Sequence, residues 1–197
     1  TLPGGRGIQD GEQVLDMVAS HPSTATFIAT KLARRFVADS PSVALVKRAA
    51  ATFTRTKGDI REVVRTIVTS PEFFSAEAYR SKLKTPFELV ASTMRAMNAL
   101  PDPSPAAAQL IAQLGQQIFG KETPNGYPDV ADQWMNTGSI LNRINFGTAV
   151  AAGGVSTVQL DRWPSTEKLR GATREAQVDG VVLALLGGSV SADTRTI

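Results

Sequence analysis

Apolar residues recur every three to four positions from Val14 through Val150 and almost nowhere alternate with a period of two. A helical turn takes 3.6 residues and a strand repeat takes two, so this spacing predicts helix after helix and next to no strand. Asp10 is placed to cap a short helix that runs through Val14, Leu15 and Val18 to about Ser20. The next helix spans Pro22 to Ala38, with Thr24, Ile28, Leu32 and Phe36 on one face and Pro22 suited to the first turn. Asp39-Ser40-Pro41 breaks the chain. Val43, Leu45, Val46, Ala49, Ala50 and Phe53 then define a third helix that ends at the Gly58 turn. Asp59 caps a fourth, whose stripe is Ile60, Val63, Val64, Ile67 and Val68. Ser70-Pro71 stops it, and Phe73-Phe74 forms an apolar plug beyond the stop.

Thr85-Pro86-Phe87-Glu88 has a hydroxyl at the cap, proline at the first position and a carboxylate at the third, which predicts a capping box and a helix to Met97. The run from Leu100 to Pro105 holds three prolines and marks an expected boundary between helical subdomains 1–100 and 101–197. In the second, Ala106 to Ile118 is helical and 119–130 is a loop, because its glycines and prolines interrupt any regular element. Asp129 is expected to cap a short helix carrying Trp134. Further helices are expected near 138–152, with Ile140, Leu141, Ile144 and Val150 apolar, and near 165–170 and 175–186. The fold class that follows is an all-α multi-helix bundle or array. The 106–118 helix and the run from Gly180 to Leu186 carry more apolar surface than the edge of a bundle needs, so an exposed apolar patch is expected.

Composition narrows the chemistry. The 197 residues are 42% apolar and 20% charged, as in an ordinary folded domain, and include no cysteine and one histidine, His21. Disulfides, thiolate metal sites, a cysteine nucleophile and paired imidazoles cannot be built from this chain alone. No cofactor or metal is implied, since Walker, dinucleotide and Gly-x-Ser-x-Gly signatures are all missing. No apolar window is long enough to cross a membrane.

The +3 net charge is uneven. Residues 31–65 hold nine basic side chains against Asp39, Asp59 and Glu62, a net of +6 that leaves −3 elsewhere. Lys31 and Arg35 lie one turn apart beside one apolar stripe, and Arg61 with Arg65 repeats the geometry on the fourth helix. These four are candidates to converge on a phosphate, sulfate or uronate. The alternative is pairing with Asp39, Glu62, Glu72 or acids elsewhere in the protein. Nucleic acid is disfavoured because few aromatics interleave with the cations. The 126–134 stretch offers Tyr127, Asp129 and Trp134 beside a rigid turn, a mixture used in carbohydrate pockets, with Asn142, Arg143 and Asn145 on the next helix able to close it. Against this stands a Trp134 that anchors the loop and an Asp129 that only caps. His21, just before a helix-starting proline, reads as a cap, with a functional role only if another segment supplies a carboxylate or metal.

Several blocks carry a family resemblance: His21-Pro22-Ser23-Thr24-Ala25, Lys31-Leu32-Ala33-Arg34-Arg35-Phe36-Val37, Gly58-Asp59-Ile60-Arg61, Ser70-Pro71-Glu72-Phe73, Lys84-Thr85-Pro86-Phe87-Glu88, Gly126-Tyr127-Pro128-Asp129 with Trp134, and Asn142-Arg143-Ile144-Asn145-Phe146. In that order and spacing they resemble the bacterial family called domain of unknown function 1800. The resemblance implies that this chain is the carboxyl-terminal half of a longer, exported protein whose preceding half carries a Trp-His-Asn-His-Phe block. Two functions fit. One is a helical binding or scaffold module for an extracellular protein or glycan. The other is half of a hydrolase or lyase on an anionic polymer, its active site shared with the preceding half.

Overall fold

The computed structural model describes residues 4–100, 102–188 and 190–196. The expected proline boundary includes Pro101, which lies outside them. The described residues are 60% helical, 3-10 turns included, and no strand occurs among them. The order is α1 (Ile8–Ser20), α2 (Pro22–Phe36), α3 (Val43–Arg55), α4 (Ile60–Val68), α5 (Pro86–Ala96), α6 (Ala106–Gln113), α7 (Thr137–Ala151), α8 (Pro164–Leu169), α9 (Arg174–Leu186) and α10 (Ala192–Thr196), with 3-10 turns at Ala131–Trp134 and Leu160–Arg162. The fold is an all-α multi-helix array.

Two compact units divide the chain. The first runs to Leu83 and also takes in Asp129–Ala131; the second holds Lys84–Pro128 and the chain from Asp132 onward. The expected break at 100/101 falls inside the second unit, because Val90 and Met97 of α5 share one core with Ile111 of α6, Phe146 and Val150 of α7, and Trp163.

In the first unit α2, α3 and α4 pack around Ala25, Ala29, Ala33, Leu45, Ala49, Phe53, Val63 and Ile67. The centre of the α2 face is therefore one position off the expected stripe. Ala25, Ala29 and Ala33 form the buried row, Ile28 and Leu32 pack at its margin, and Phe36 is largely exposed. A row of methyl groups lets a neighbouring helix approach closely, which a row of branched side chains prevents. The turns match local chemistry. Asp59 accepts from the N–H groups of Arg61 and Glu62. Gly58, at φ +90°, closes α3 by donating to the Phe53 carbonyl at 2.8 Å. Of the Phe73-Phe74 plug only Phe73 packs on the core, and Phe74 is exposed.

α5 begins with the full capping box: Thr85 Oγ1 accepts from Glu88 N–H and Glu88 Oε2 from Thr85 N–H. Asp10, by contrast, is not a cap. Gly7 precedes α1, and Asp10 sits in the first turn accepting from the backbone and side chain of Arg6. α6 stops at Gln113, five residues before the expected end, where Gly115 adopts a φ of +97° that a helix cannot continue. Apolar side chains stay exposed on α1 (Val14, Leu15, Val18), α7 (Leu141, Ile144) and α9 (Leu183, Leu186).

Close packing of the alanine row carries a test. Ala29→Leu should cost about 1–3 kcal/mol in urea unfolding, as overpacked cores do, whereas Thr26→Ala on the open side of the same helix should stay within about 0.5 kcal/mol.

Candidate functional site

The strongest polar cluster belongs to the first unit and is centred on Asp39, just beyond the end of α2. Its carboxylate accepts from the Lys82 ammonium and, at 2.6 Å, from the backbone N–H of Ala131. Lys82 Nζ also donates to the Asp129 carbonyl at 2.8 Å and lies 3.5 Å from its carboxylate. Arg35 reaches the same carboxylate at 3.4 Å, and Arg34 Nε donates to the Asp39 carbonyl at 3.0 Å. Two acids and two bases thus alternate, with one ammonium between two carboxylates. Burial alone would raise the Asp39 pKa. The Lys82 hydrogen bond, the Ala131 N–H and the charges of Lys82 and Arg34 outweigh it and hold Asp39 below the usual carboxylate range.

This arrangement corrects the expected role of Asp129. Its carboxylate pairs with Lys82 and Arg35, and the first N–H of the Ala131–Trp134 turn goes to Asp39, 92 residues earlier in the chain. A local cap and a distant one satisfy the same donor equally well, and sequence spacing reports only the local one. Lys82 carried no sequence signal, because it lies outside any periodic element.

The four cations do not share one anion. Arg35 takes Asp129, Arg65 takes Glu62 at 3.4 Å, and Lys31 lies over the Phe27 ring at 5.2 Å from its centroid. Arg61 makes no ion pair among the described residues. Glu72 is taken by Arg48 at 2.6 Å, whose hydrogen bond holds the Glu72 pKa low. Of the three acids named for these cations, only Glu62 is taken by one of them, Arg65; Asp39 is held by Lys82 and Glu72 by Arg48. His21 caps α2: its Nδ1 accepts from Ser23 N–H at 3.1 Å.

The loop residues of the second unit separate in the same way. Trp134 is 6% exposed, donates its indole N–H to the Pro128 carbonyl at 3.0 Å and sits 6.0 Å from the Tyr127 ring. Tyr127 donates its hydroxyl to the Gln117 carbonyl at 2.9 Å. Both aromatics therefore brace the loop from inside. Arg143 donates to the Lys84 carbonyl at 2.8 Å, and its burial lowers its pKa. Asn142 donates to the Gln113 carbonyl, and with Asn145, Leu110, Leu114 and Phe146 lines a cleft of about 460 Å³ between α6 and α7. No group of three metal-ligating side chains occurs among the described residues.

Two measurements probe these roles. Asp39→Asn should cost about 1–2 kcal/mol near neutral pH, the scale of a charge-assisted hydrogen bond discounted for partial exposure. A depressed carboxylate pKa stabilises the fold above the unfolded value and loses that contribution as pH falls through the folded value, so the gap between wild type and Asp39→Asn should close below about pH 4. Trp134→Ala should cost about 3–5 kcal/mol, as removal of a buried aromatic does.

The sequence model of the family described as "Protein of unknown function (DUF1800)" matches residues 1–197. No curated protein and no solved structure matches the chain. The run of helices with their caps and the matched span agree with the blocks from His21 to Phe146, and the chain belongs to the DUF1800 family.

Proposed function

We propose that the chain is a helical binding module of an exported bacterial protein, and that it docks a protein partner outside the cell through the open apolar face of α1. It would form the carboxyl-terminal half of that protein. The observation that carries this is α1 itself. Not one of its thirteen residues is buried, although Val14, Leu15 and Val18 share a face opposite Asp16. Leu15 is 69% exposed and Val18 59%. An amphipathic helix gains most of its stability by burying its apolar stripe, so a stripe left in water marks a face that a partner covers. Helix-in-groove docking uses this spacing of apolar side chains. A glycan is the weaker partner, because the Trp134 ring is buried and the Tyr127 and Trp134 polar tips are already bonded inside the loop.

A photocrosslinking residue placed at Val18, and in a second protein at Asp16, tests the assignment in the cells that make it. A discrete adduct with another polypeptide from Val18 and none from Asp16 is the expected result. Equal labelling from both positions, or adducts that never exceed the mass of the protein's own polypeptide, overturns it.

A further inference from the structure

A second cleft of about 460 Å³ lies wholly within the second unit, at the carboxyl end of α5, and is lined by Met94, Arg95, Asn98, Leu100, Asp102 and Thr157 among others. Its shape is built by the backbone. Asn98, at φ +51°, ends α5 in the left-handed conformation, and Ala99 N–H donates back to the Met94 carbonyl at 2.9 Å. Leu100 N–H then donates to the Thr157 carbonyl at 3.1 Å. Asp102 accepts from both the N–H and the hydroxyl of Ser104, at 2.8 and 2.7 Å, which fixes its carboxylate and keeps its pKa low.

Three features of the lining point to a ligand. Arg95 and Asp102, of opposite charge, both line the cleft, yet neither makes an ion pair among the described residues, with each other or with any third group. Thr157 is 7% exposed, and its hydroxyl is a buried side-chain polar atom with no hydrogen-bond partner among the described residues. Buried hydroxyls normally find partners, because leaving one unmade costs the full desolvation penalty. Met94, Ala99, Leu100 and Ala107 supply an apolar wall beside these polar groups. An apolar pocket with a few convergent polar groups is the usual form of a small-molecule site.

We infer that this cleft binds a small zwitterion with an apolar body, of the amino-acid class. Arg95 takes the carboxylate, for which its planar fork is suited. Asp102 takes the ammonium, the Thr157 hydroxyl and Asn98 carboxamide complete the polar contacts, and the apolar wall receives the side chain. The inference is independent of the α1 face.

Isothermal titration of the intact chain tests it with L-leucine, 4-methylpentanoate (the same body with only the carboxylate) and leucinamide (only the ammonium). The expected result is saturable binding of leucine, with both truncated probes at least tenfold weaker. Arg95→Gln and Asp102→Asn should each weaken leucine at least tenfold while leaving the helical circular dichroism unchanged, since both side chains are exposed. Thr157→Val, which keeps the shape and removes the hydroxyl, should weaken leucine severalfold. No saturable leucine binding, a truncated probe that binds as tightly as leucine, or wild-type affinity in either charge variant overturns the assignment.

Discussion

Asp39 joins three stretches of chain that are far apart in sequence. Its backbone carbonyl is held by Arg34 at the end of α2, and its carboxylate by Lys82 and by the N–H of Ala131. Residues 129–131 thereby belong to the first unit although the chain on either side of them belongs to the second. Charge-assisted hydrogen bonds are strong and directional, so a carboxylate partly shielded from water can hold a backbone N–H 92 residues away in place. The same network gives the Arg35 and Lys82 cations acidic partners within the chain.

The alanine row of α2 sets how closely the first core is packed. With methyl groups at 25, 29 and 33, the bulk needed to fill the core comes from Leu45, Phe53, Val63 and Ile67 on α3 and α4. The basic surplus of 31–65 then lies on the outer faces of those helices, where Arg48, Arg65 and Arg35 each find an acid at the surface. Exposed pairs of this kind add little stability, and their effect is to neutralise the surplus locally. The uncovered apolar faces are a different matter, because nothing in the first unit buries the stripe of α1.

The second unit is built on aromatic anchors. Trp134 donates to Pro128 and Trp163 to the Ala96 carbonyl at the end of α5, each indole satisfied while its ring is buried. Trp163 helps fix the carboxyl end of α5, beside which the Arg95–Asp102 cleft opens. Family membership brings no chemistry of its own, so function in this chain has to be argued from such local constellations.

The all-α class, the starts of α2 through α5, the Thr85 capping box, the Asp59 cap and the cap role of His21 are legible along the chain, because they depend on spacing and on donors within four residues of their acceptors. The chain also displays the blocks by which the family is recognised. Packing between helices is what buries Ala25, Ala29 and Ala33 rather than Thr24 and Phe36, since a helical face about 100° wide admits neighbouring registers and the partner helix selects among them. The partners of Asp129, the role of Lys82 and the orphan hydroxyl of Thr157 were equally out of reach. Each depends on residues tens of positions apart meeting in space, and no periodicity along the chain records which distant acid will meet which base.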